Sequence, residues 1–169
     1  TEGDYNTSIG NSAMDALTTG TYNIALGSNA PLGALTTGHR NIAIGGGSCA
    51  AITDDIDNIG LGIDTLTAVV SGGDKNIAIG TYAGNQITTG ENNIVIGYDI
   101  DAQTATADDQ INIANAFKMD SNGDIVLRPG GEVQNAFVFS TARHLSQFGD
   151  NAAFMTSMYV FFNLVLSVR

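Results

Sequence analysis

The chain has 169 residues, enough for one ordinary domain, and carries 17 acidic against 6 basic side chains, a formal charge of −11. So acidic a chain repels phosphate backbones, which argues against nucleic-acid binding through a basic surface. With 21 glycines but only two prolines it is neither collagen-like nor of low complexity, and the lone Cys49 excludes an intramolecular disulfide and reads as a small buried residue.

Taken from the N terminus, the first ten residues, "TEGDYNTSIG", lack the basic start and apolar stretch of a signal peptide. They do contain the first copy of a repeat. "NTSIG" at 6–10 returns as "NIALG" at 23–27, "NIAIG" at 41–45, "NIGLG" at 58–62, "NIAIG" at 76–80 and "NIVIG" at 93–97, and a seventh copy, "QINIA", ends at Ala114. The closing residues Gly10, Gly27, Gly45, Gly62, Gly80 and Gly97 are 17 or 18 residues apart, and Asn6, Asn23, Asn41, Asn58, Asn76 and Asn93 stand four residues ahead of them. Gly3, Gly20, Gly38, Gly73 and Gly90 stand seven ahead. Because Gly3 already lies inside a repeat, further coils are expected upstream.

One such copy buries almost nothing, so neighbouring copies must stack to share a core. Within most motifs Ile or Leu alternates with a small residue (Ala25, Ala43, Gly60, Ala78), the pattern of a strand with one face buried. The large residues are expected to face the core, so that a charge at Ile79 would be buried. The small ones leave room for close approach by the return segment or by another subunit. After each strand comes a short apolar point (Ala13, Ala30, Ala83) and then "LTTG" at 17–20 and 35–38 or "ITTG" at 87–90, where glycine permits a positive φ. The glycine frequency excludes helices.

The sequence therefore predicts an all-β, parallel β-solenoid over residues 1–115, with about seven rungs of 17–18 residues and a length of roughly 33 Å. The asparagines are expected to form a hydrogen-bonded ladder along it, and the closing glycines its turns. A rod so thin exposes strand edges and has little core for its surface, so oligomerisation is expected.

Residues 116–131 read as a closing segment, with "FKMDSNGDIVL" at 117–127 forming a hairpin that turns at Asn122-Gly123. A calcium loop there would need glycine at its sixth place and glutamate at its twelfth, and has neither. Past Pro129-Gly130-Gly131 the composition changes: six of the seven phenylalanines lie between Phe137 and Phe162. The uncharged run 152–168 carries Thr156, Ser157, Asn163 and Ser167 and is shorter than a membrane span requires. Its alternation from Val160 to Val168 predicts a strand, and "STARHLSQF" a short helix capped by Ser140 or Thr141. Residues 132–169 are thus expected to form an apolar, β-rich C-terminal cap.

Iterated "TTGxxNIAIGxxA" followed by "DDQINIANAFKMDSNGDIVL" resembles the repeat region of bacteriophage tail fibres and related appendage proteins, over residues 1 to about 131. More loosely it is similar to the heads of trimeric autotransporter adhesins. The resemblance implies a parallel homotrimer, intertwined or side by side, at a virion surface or outside a cell. Its role there would be structural and in attachment, and its partners other fibre or baseplate proteins and a host glycan or protein. In many relatives the closing segment leads into a self-cleaving chaperone; nothing after Gly131 matches one, and Ala114 replaces the favoured glycine.

Catalysis finds little support. His39 lies in a turn between rungs and His144 in the tail, and each reads as an exposed or satisfied histidine. Asp64 and Asp99, each two residues past a closing glycine, have backbones roughly 10 Å apart at the strand spacing, near the range of an inverting glycosidase. Any acidic solenoid supplies such pairs by chance. Asp54-Asp55-Asp57, Asp99-Asp101 and Asp108-Asp109 read as solvated turns. No catalytic residue, metal ligand or cofactor is assigned, and a glycan-cleaving spike is the least favoured reading. An adhesin head would bind its receptor through turn residues such as Tyr82 and Tyr98.

Overall fold

A computed structural model describes residues 3–127, with side chains through residue 124. Seven strands of three residues stack in parallel: β1 (Thr7–Ile9), β2 (Ile24–Leu26), β3 (Ile42–Ile44), β4 (Ile59–Leu61), β5 (Ile77–Ile79), β6 (Ile94–Ile96) and β7 (Ile111–Ile113). Each pairs only with its sequence neighbours, so each repeat is one coil of a parallel β-solenoid. Asparagine aligns with asparagine and closing glycine with closing glycine, which is why the period stays within 17–18 residues. Two antiparallel strands, β8 (Phe117–Met119) and β9 (Ile125–Leu127), extend the sheet past β7. Their loop is closed by Asp120, whose Oδ1 accepts the amides of Asn122 and Asp124 at 2.9 and 3.0 Å, while Gly123 adopts a φ of 84°.

The strands face the opposite way from the sequence expectation. The small central residues Ala25, Ala43, Ala78 and Val95 are fully buried, whereas Ile24, Leu26, Ile44 and Ile79 remain 37–42% exposed. The reason is room. The return segment passes so close behind the strand that a Cβ on Gly60 would overlap the Oγ1 of Thr65 and the Sγ of Cys49. Large side chains therefore have to point outwards, and the core is supplied by the return segments: Leu32, Leu35, Ile52, Leu66, Val69 and Ile87. The small residues admit the coil's own return segment.

The corners of the coil are sharper than turn residues alone would indicate. The residue before each ladder position, Tyr5, Tyr22, Arg40, Asp57, Lys75, Asn92 and Asp109, has a φ of 57–62°, a region most side chains avoid. From Tyr22 onwards, the amide of each is fixed to a carbonyl of the preceding coil at 3.0–3.2 Å. A second left-handed column, Met14, Leu32, Cys49 and Leu66, turns apolar side chains into the core.

The expectations for residues 132–169, including the apolar cap, the "STARHLSQF" helix, the uncharged run and His144, lie outside the described residues. Among the described residues no helix is long and apolar enough to cross a membrane.

Candidate functional site

The interior is organised by amides. Asn6 Oδ1 accepts both the backbone and the side-chain N–H of Asn23, at 2.8 and 3.1 Å, and Asn23 Oδ1 does the same for Asn41 at 2.9 and 3.2 Å. Asn76 repeats the arrangement towards Asn93. The Nδ2 groups also donate across the coil to carbonyls of Gly20, Gly38, Asp55, Gly90 and Ala107. Asn23, Asn41, Asn58, Asn76 and Asn93 are fully buried, so this ladder joins strand to return segment where no water reaches. Gln110 ends it, bonding Asn93 Oδ1 and the carbonyls of Thr104 and Ala107 through its longer amide. The "QINIA" copy contained that signal, since glutamine offers the same groups as asparagine.

The closing glycines form their own column, with φ between 119° and 146°. A Cβ on Gly80 would strike the carbonyl of Gly97 on the next coil, so backbone stacks directly on backbone there.

On the outside, the strands present two rows of large apolar side chains. One runs Ile24, Ile42, Ile59, Ile77, Ile94 and Ile111, the other Ile9, Leu26, Ile44, Leu61, Ile79, Ile96 and Ile113. No charged residue falls within β1–β7. With seven strands about 4.8 Å apart, the rows extend ~29 Å. Exposed apolar patches of more than a few hundred Å² are uncommon on monomers and mark association surfaces.

The polar corner displays a second series. Tyr5 and Tyr22 stack with ring centroids 4.8 Å apart and planes inclined by 9°. Arg40 donates to both oxygens of Asp57, at 2.6 and 2.9 Å, which holds the Asp57 carboxyl below its usual pKa. Asn92 bonds Asp109 one coil on. At the other end of the strands, just past the closing glycines, Tyr82 and Tyr98 meet edge to face, centroids 6.4 Å apart, and are 38% and 73% exposed.

Asp64, Tyr82 and Asp99 occupy one column, linked through backbone bonds from each to the coil before. Asp64 and Asp99 therefore have Tyr82 between them, and the Asp64 carboxylate lies over Gly47, away from Asp99. His39 is held by Thr21, whose amide donates to its Nδ1 at 3.0 Å. Cys49 is buried, and burial pushes its thiol up to about 12, against a weaker opposing hydrogen bond from Ser48. Such a thiol is not a nucleophile.

One acidic turn is not solvated. Asp55 is 2% exposed, and its Oδ1 accepts the amides of Gly72 and Gly73 at 2.6 and 2.9 Å. It stands where other coils have a glycine, so its side chain is enclosed between coils. Among the described residues no group of three His, Cys, Asp or Glu side chains is placed to hold a metal ion. No known family model, curated protein or solved structure matches the chain.

Proposed function

We propose that this chain is a rigid rod segment of a homotrimeric fibre or similar surface appendage, on a virion or outside a cell, serving as a spacer and attachment element. The observation that carries the reading is the outward isoleucine face. A continuous apolar surface with the periodicity of the solenoid is best covered by a surface of the same period, and a second copy of the chain has it. The resemblance of the repeat and closing segment to tail fibres supports the setting. Light scattering on the full chain tests the assembly: three times 17.5 kDa is expected. A mass of 17.5 kDa would sink the trimer.

The exposed Tyr82–Tyr98 pair favours a second reading, an adhesin that binds a host glycan or protein at this corner. Glycan-array binding that Tyr98→Ala abolishes without changing the mass would support it. A glycan-cleaving role is disfavoured, because Asp64 turns away from Asp99.

A further inference from the structure

The junction between the fourth and fifth coils departs from the repeat in four ways at once. Asp55 occupies the column of Gly20, Gly38, Gly73 and Gly90. Gly72 is an extra residue with a φ of 98°. Asn58 turns its Nδ2 out of the ladder to the Ile56 carbonyl at 3.4 Å, and the Gly73 carbonyl is taken instead by Asn76. At the centre of these departures the Oδ2 of Asp55 is buried and has no hydrogen-bond partner, while Oδ1 holds two amides. A buried, half-satisfied carboxyl costs far more when charged than when protonated. The charged groups that face it are both carboxylates, Asp54 in its own turn and Asp74 on the following coil. The preceding coil presents the uncharged Thr37 and Gly38 in the matching columns.

We propose that Asp55 is a proton-operated latch between the fourth and fifth coils: with a proton on the carboxyl the junction is closed, and on ionisation it becomes the first place where the rod opens. Burial raises the Asp55 pKa, the Gly72 and Gly73 amides pull it back, and Asp54 and Asp74 raise it again, leaving it above the ordinary carboxylate value. The folded junction thus keeps its proton to higher pH than the opened one. Its stability is greatest in acid and is lost as pH rises from the unfolded value through the raised folded value. One proton gives a slope of at most about tenfold in the opening constant per pH unit.

Hydrogen exchange on the full chain, expressed as protection relative to the intrinsic rate, tests this. In the wild type, protection of residues 54–76 relative to residues 23–38 should fall as pH rises from the ordinary carboxylate value through the raised Asp55 value, and level off above it. In Asp55→Asn the ratio should not change with pH. Asp74→Asn keeps Asp55 and both its amide bonds but removes one like charge, so the midpoint should move to lower pH; this variant carries the test should Asp55→Asn fail to fold. A profile identical to the wild type's in either variant, or a wild-type ratio that does not vary with pH, overturns the latch. Calcium chloride restoring protection at alkaline pH in the wild type, but not in Asp55→Asn, would overturn it in favour of a cation site.

Discussion

At the scale of single residues, the ladder makes identical asparagines unequal. Asn41 is fully buried and joins Asn23, the Asp55 carbonyl and the Asn58 amide, whereas Asn6 at the first coil is half-buried. Truncation at Asn41 leaves several buried donors and acceptors unmatched at about 1–3 kcal/mol each, and at Asn6 water replaces part of the loss. Asn41→Ala should therefore lower stability by several kcal/mol and Asn6→Ala by about 1 kcal/mol, measured by denaturant unfolding. Equal losses would show that the amides act only as turn formers. Asp101 supplies a pH test. Burial raises its pKa, the Gln86 amide opposes this and Asp99 adds to it, so the folded carboxyl keeps its proton above the unfolded value. The stability this gives is present in acid and disappears as pH rises through that window. Asp101→Asn should remove this component from a pH series of unfolding midpoints.

At the scale of the strand, two neighbouring residues separate the faces. Ala78 is fully buried against Gly84 and the return segment, while Ile79 is 37% exposed on the outer row. Ala78→Asp should place an unpaired carboxylate in a space that barely holds a methyl group, and unfold the coil and its neighbours. Ile79→Asp should leave the fold intact and weaken self-association, read by circular dichroism together with light scattering. The reverse pattern would return the large residues to the core. The sequence made the strand itself legible, since alternation, glycine column and asparagine column all repeat with one period. It did not make the inward face legible. Hydrophobic alternation points the larger side chain inward only if the interior has room, and the room is set by the return segment, whose Leu32, Leu66 and Val69 reach the core from left-handed or irregular backbone that no periodicity announces. Asp55 was legible but overlooked: it stands seven residues before Gly62, in the column of Gly20, Gly38, Gly73 and Gly90, and that place between coils outweighs the solvated reading its aspartate neighbours suggest. The ladder asparagines and closing glycines were legible because a column spaced by one coil is visible in the sequence itself.

At the scale of the whole rod, each coil touches only the coils before and after it, so stability is a sum of similar coils and their junctions. Removing one entire coil should cost one such increment and nothing more. Deleting residues 23–40 joins Tyr22 to Asn41, and Tyr22 and Arg40 hold the same left-handed corner, at φ of 61° and 58°. Asn6 would then meet Asn41, and Gly10 would meet Gly45, in the register that Asn23 and Gly27 now fill. The Tyr5–Tyr22 stack is retained, and the outer isoleucine rows lose one step in every copy alike, so association should survive. Deleting only residues 23–31, half a coil, leaves the strand stacked on a return segment and breaks every column at once. The first variant should be a cooperative β-protein of the parent oligomeric state, shorter by about 4.8 Å in small-angle scattering, and the second should aggregate or remain unfolded. If both deletions behave alike, the columns do not set the register, and the rod is held by side-chain packing that tolerates a shift between coils.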